Sequence, residues 1–287
     1  MPGSPIGRGC YVPEFSERFA MESRTMLVQQ DIAYLESDRS ERLDFYRPAR
    51  SERPLPVVIF AHGGAFHEGS KSEERSRLLS ELMAGAGLAV LSIDYALSES
   101  SSGAGRWSAW PRNLLDVAAA VAFVRKSGEE MGLDRERIIL SGASAGATLA
   151  LLAAFGCAEA QGAAETARHI RAVVNFYGRV DWQRYTVADK QPESQEDVLA
   201  ASPVHWIERA NGGPPILTLH GCDDAVVPVE QARMLDDCLR ACGISHDLHE
   251  LKGLPHAFSL PPDRERIAGP LLGFLSRTFA AEGLEKK

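Results

Sequence analysis

After residue 55 the chain alternates between two rhythms, and this alternation restricts its fold more than any other feature. Short apolar runs with β-branched residues recur at 56–62, 88–95, 137–143, 170–177 and 215–220, and 245–251 reads as a last strand. Between them, 71–86, 111–130, 147–160, 228–242 and 263–281 carry apolar residues at helical spacing. A run that is apolar at every position suits a strand covered on both faces. Strand and helix in repeated alternation predict an α/β fold, a mainly parallel sheet with helices on both faces. Ligands gather at the carboxyl ends of such strands, so the chemistry is expected in the loops that follow them.

Earlier residues behave differently. Residues 1–24 read as an irregular N-terminal segment with one short helix at 14–22. Residues 25–46 alternate loosely around a polar break at 37–40, which predicts an antiparallel hairpin. Residues 25–287 are expected to form a single domain, in which 96–110 and 178–213 interrupt the alternation. Both follow strands, and both are read as walls above the sheet end, 178–213 as a small lid-like insertion.

Composition narrows the function. The chain has 287 residues, 45% of them hydrophobic and 24% charged, enough for a core without disulfides or metals. A net charge of −8 argues against nucleic acid or an anionic membrane as the main partner. The five cysteines form no C-x-x-C pair, and Cys238 and Cys242, four apart on one helix, read as packing thiols. No metal or other cofactor is expected. The N-terminus lacks an apolar leader, and the longest apolar stretch, 147–158, has 12 residues where a span needs about 18. A cytoplasmic protein, as a monomer or a homodimer, is expected.

The third core strand runs into Gly142-Ala143-Ser144-Ala145-Gly146 and then a helix. Strand, tight turn and helix are the setting in which G-x-S-x-G has chemical meaning. The glycines let neighbouring backbone approach, and the hydroxyl points out at a helix N-terminus, whose dipole favours a developing oxyanion. Eighty residues earlier the first core strand ends in His62-Gly63-Gly64-Ala65-Phe66. Glycines there turn backbone N–H groups into a site, and the N–H groups of Gly64, Ala65 and Ala145 are the expected oxyanion donors. His62 is read as a structural hydrogen-bonder within that loop.

A base must reach the serine from the same sheet end. Of the eight histidines, His256 follows the last strand and fits best; His246 and His249 lie inside that strand, and His220 ends the one before. An acid should hold the imidazole. The strand ending at His220 continues Gly221-Cys222-Asp223-Asp224, and the spacing to Val227-Pro228 favours Asp224, with Asp223 as the alternative. The order Ser144, Asp224, His256 is the one expected of this fold class.

These motifs, with Asp94-Tyr95 after the second core strand and the stretch at 133–138, resemble the esterase/lipase branch of the α/β-hydrolases. Within it the chain is most similar to the hormone-sensitive-lipase-like carboxylesterases, near acetyl-xylan and feruloyl esterase-like enzymes and arylformamidases. The family's common third glycine is Ala65 here, and the acidic residue often found before the serine is Ala143. A backbone N–H survives the first change. The resemblance implies a serine hydrolase acting on small-molecule esters. Two alternatives stand beside it: an arylformamidase or amide hydrolase with the same triad, and a non-catalytic binding protein on a hydrolase scaffold. Phe66, Trp182 and Trp206 are the expected substrate-binding residues.

Overall fold

The computed structural model describes residues 26–101, 105, 107–157, 163–184, 194–258 and 260–280. The N-terminal segment with its short helix, and residues 185–193 of the insertion, lie outside the described residues. Eight strands form one sheet: β1 (Met26–Ile32), β2 (Leu43–Pro48), β3 (Leu55–Ala61), β4 (Ala89–Ile93), β5 (Leu133–Ala143), β6 (Ile170–Phe176), β7 (Ile216–Gly221) and β8 (His246–Leu251). Their order is β1-β2-β4-β3-β5-β6-β7-β8. β2 is antiparallel to β1 and β4, and every other pairing is parallel. The expected hairpin is therefore β1–β2, and the expected parallel sheet is β3 to β8.

Eight helices are described: α1 (Glu74–Gly85), α2 (Arg112–Ser127), α3 (Ala145–Ala154), α4 (Ala163–Arg168), α5 (Gln195–Ala200), α6 (Pro203–Ile207), α7 (Glu230–Ala241) and α8 (Leu260–Ala280). Alternate strand residues feed two cores. Val57, Ile59 and Ala61 of β3 join Leu114 and Val121 of α2 and Leu149 of α3 on one face. Val58 and Phe60 join Leu82 and Met83 of α1 and Leu271 and Phe274 of α8 on the other. α3 is buried at all ten positions, as an all-round apolar helix must be.

The hairpin is tied back by charge. Arg39 donates to Asp116 of α2 at 2.9 and 2.7 Å and to Glu41 at 3.0 and 2.8 Å. The Lys71 ammonium lies 2.9 Å from both Asp31 and the fully buried Asp44. β1 carries an irregularity between Gln29 and Ile32, where Asp31 has φ 59°.

Three short helices, α4, α5 and α6, were not predicted, because five or six residues are too few to display a helical period. β5 also starts earlier than expected. Leu133 and Asp134 pair with Leu55 and Pro56 before the register shifts, and polar residues hide this extension. α3 ends at Ala154 rather than 160, because Gly156 takes φ 68° and the Cys157 N–H closes the end on the Leu152 carbonyl. Among the described residues no helix is long and apolar enough to cross a membrane.

Candidate active site

Ser144 occupies the turn from β5 into α3 with φ 52° and ψ −117°, a conformation that a non-glycine residue adopts only under constraint. The constraint is visible. The Ser144 N–H donates 2.9 Å to the Phe176 carbonyl at the end of β6. A Cβ on Gly142 would stand 2.3 Å from the Gly146 carbonyl carbon, and one on Gly146 only 2.1 Å from the Ala61 carbonyl oxygen. The two glycines of the motif thus let β5, α3 and the end of β3 meet.

Three side chains converge here from separate loops. His256 Nε2 lies 3.1 Å from Ser144 Oγ, and His256 Nδ1 lies 2.6 Å from Asp224 Oδ2. Asp224 is buried, and its Oδ1 accepts the N–H groups of Val226 and Val227 at 2.9 and 2.8 Å. Burial alone would push its carboxyl up. Hydrogen bonds from His220, His256 and Val227 outweigh that and hold it well below the usual carboxylate range. Asp223, the alternative acid, is exposed, and its N–H is spent on the Leu254 carbonyl at 3.0 Å. Asp224 is the acid brought to His256.

The loop after β3 lies beside Ser144: a Cβ on Gly63 would be 3.5 Å from that of Ser144. Gly64, Ala65 and Phe66 all have positive φ, at 115°, 51° and 69°. At Gly64 only glycine fits, since a Cβ would meet the Glu68 carbonyl oxygen at 1.9 Å. The Gly64 carbonyl accepts from His67 and Glu68, which closes the loop. The N–H groups of Gly64, Ala65 and Ala145 have no acceptor among the described residues. His62 braces the loop from beneath, its Nδ1 2.6 Å from the Gly63 carbonyl and its ring stacked on Tyr95 at 4.3 Å. Burial pushes its imidazole below the ordinary range, as suits a neutral structural ring.

Two of the three expected pocket residues share one aromatic cluster. Phe66 lies 5.4 Å from Trp107 and 6.1 Å from Trp182, and Trp107 meets Trp182 edge-on at 5.0 Å. Trp206 makes other contacts: its indole donates to the Ala200 carbonyl and its ring meets His205. Trp107, from the 96–110 stretch, joins the cluster instead.

The start of the insertion is bolted down by a residue that sequence reasoning missed. Gln231 of α7, fully buried, accepts from the N–H groups of Val180 and Asp181 at 2.8 and 2.9 Å and donates to the Asp181 carbonyl at 3.1 Å. Tyr177 was missed as well. It has φ 46°, and its ring meets that of His256 edge-on at 4.9 Å.

Known proteins resemble the chain over most of its length. Esterase LipC of Mycobacterium tuberculosis is 34% identical over 84% of this chain and 62% of its own length. The probable carboxylic ester hydrolase LipM of the same organism is 32% identical over 80% of this chain and 56% of its own length. The chain therefore spans about three-fifths of the length of the curated relatives it matches. A truncated carbohydrate esterase from gut microbiota shares the fold, with a TM-score of 0.71 at 22% identity over 88% of this chain and 96% of that one. A family model described as BD-FAE matches residues 43–239, from β2 into α7, a span that includes Ser144 and Asp224 and stops short of His256. With an α/β-hydrolase sheet under it and that match across most of its length, the chain belongs to the BD-FAE family.

Proposed function

We propose that this protein is a serine hydrolase that cleaves small carboxylic esters through an acyl-enzyme on Ser144. One observation carries the reading: His256 stands between the Ser144 hydroxyl at 3.1 Å and the buried Asp224 carboxylate at 2.6 Å. A hydroxyl is a weak nucleophile at neutral pH, and a base within hydrogen-bond reach is what activates it. His256 takes the Ser144 proton through Nε2 as Oγ attacks the ester carbonyl. Asp224 keeps the other ring proton on Nδ1 and stabilises the imidazolium that forms.

Charge then gathers on the carbonyl oxygen. The unoccupied N–H groups of Gly64, Ala65 and Ala145 are fixed donors for it, each worth about 2.7–4 kcal/mol in a serine hydrolase transition state. The imidazolium returns its proton to the departing alcohol. A water then gives a proton to His256 and attacks the acyl carbon; the bond to Oγ breaks, His256 returns that proton to Ser144 Oγ, and the acid leaves. Phe66, Trp182 and Trp206 are proposed to wall the substrate space, with 178–213 as its overhang. Similarity to the esterase LipC and the probable carboxylic ester hydrolase LipM supports the ester reading.

The test is hydrolysis of p-nitrophenyl acetate by the wild type and Ser144→Ala. The variant should lose about 10⁴-fold or more in kcat at an unchanged melting temperature. Full activity in the folded variant would sink the proposal. Faster turnover of a formylated aromatic amine than of an acetyl ester would move the reading to formamide hydrolysis.

A further inference from the structure

His220 has no part in the proton transfers above, yet it is a fully buried imidazole against the acid of the site. Its Nε2 lies 2.8 Å from the Val227 carbonyl and 3.2 Å from Asp224 Oδ2. A carbonyl only accepts, so Nε2 carries the ring proton, and Nδ1 is a buried atom with no partner. Burying a ring with one nitrogen unsatisfied is costly, and an apolar side chain would avoid that cost. The Nε2–H is the compensating feature, because it is shared between the carbonyl and the carboxylate.

Those contacts close a circuit. Asp224 Oδ1 accepts from the Val227 N–H, the Val227 carbonyl accepts from His220, and His220 reaches back to Asp224 Oδ2. The oxygen that His220 reaches is the one that holds His256. We infer that His220 is a positioning residue: its Nε2–H fixes Asp224 and takes up part of the charge on Oδ2, which sets how strongly that oxygen holds the His256 imidazolium. The spacing His220…Asp224…Val227 in the sequence is the covalent form of this circuit.

Other titratable groups face the pair and are the same residues in every variant compared. Tyr177 packs on His256 from the end of β6, Glu250 of β8 faces His220, and Asp223 and Cys222 lie on the same loop. Glu73 and Arg75 act on Tyr177 from the start of α1.

The test follows the His256 ring by NMR through a pH titration of wild type, His220→Leu and His220→Gln. The leucine removes the donor, while the two bonds from Val226 and Val227 still hold Oδ1. A carboxylate with one donor fewer binds a cation more tightly, so the His256 midpoint should rise by about one pH unit. Glutamine places an amide nitrogen where Nε2 was and should return the midpoint most of the way. An unchanged or lowered midpoint in His220→Leu, or a glutamine variant displaced as far as leucine, overturns the inference. If the leucine variant does not fold, His220→Asn, whose amide stops short of Asp224, takes its place with the same expected rise.

The kinetic arm rests on the hydrolase reading: His220→Leu should lower kcat about tenfold with KM within about twofold, and His220→Gln should recover most of it. A wild type that cleaves no ester would defeat the hydrolase reading, and the His256 titration would still decide the role of His220.

Discussion

Gly221 and Leu254 pass so closely that a Cβ on the glycine would stand 2.2 Å from the leucine's carbonyl oxygen. Gly221 ends β7, which leads to Asp224, and Leu254 begins the turn that carries His256. The backbone contact sets the spacing of acid and base, and two hydrogen bonds hold it: Cys222 N–H to the Leu251 carbonyl and Asp223 N–H to that of Leu254, both 3.0 Å.

Gly221→Ala should therefore damage stability and activity together. Forcing one methyl into packed backbone costs about 1–3 kcal/mol. Displacing His256 by about 1 Å should lower kcat/KM on the order of 10²-fold. Thermal unfolding and ester kinetics on the same preparation check this, and wild-type kcat/KM in a destabilised variant would show that the contact does not place His256.

Acid should strip stability through Asp224. Its carboxyl is held below the ordinary range in the folded state, so it contributes stability that is fully present above about pH 3.9, the unfolded value, and is lost as pH falls through the depressed folded value. Asp224→Asn should unfold at lower denaturant at pH 6 and show a shallower loss of stability between pH 5 and pH 2. It should also lose about 10⁴-fold in kcat, since an amide does not hold the imidazole proton on Nδ1. Denaturant melts across that pH range measure the slope; equal slopes in the two proteins would contradict the assignment.

Gln231→Leu should loosen the start of the insertion. The substitution leaves the buried N–H groups of Val180 and Asp181 without an acceptor, at about 1–3 kcal/mol each. Amide hydrogen exchange at 180 and 181 should quicken by more than the global loss of stability explains. Unchanged protection there would mean that other contacts fix the segment.

The sequence rhythm made the sheet legible because β3 to β7 are mostly buried on both faces and leave a nearly continuous apolar trace, which the outer strand β8 lacks. Ser144 was legible for another reason: Gly142 and Gly146 are required by contacts among β3, β5 and α3, and the spacing records those contacts. Gln231 left no such trace. Its partners lie about 50 residues away, and a lone glutamine on a helix reads as a solvated position. His220 was visible only as a strand end, since its bond to Asp224 depends on how the turn at 222–227 curls. The tryptophans could not be sorted at all. Trp107 and Trp182 meet edge-on from the loops after β4 and β6, while the Trp206 indole bonds to the Ala200 carbonyl, and sequence pattern records neither contact.

The irregularity in β1 has a consequence for how the protein lives among copies of itself. β1 is one of the sheet's two outer strands, and its Leu27 and Val28 are exposed. A straight, apolar border of that kind is a template on which a neighbouring chain can add a ninth strand. Asp31, turned to positive φ and leashed to Lys71, breaks the run of evenly spaced donors and acceptors after Gln29 and sets a charge at the break. Replacing that kink with a regular strand would give the sheet an adhesive border, and self-assembly would be the first property to change.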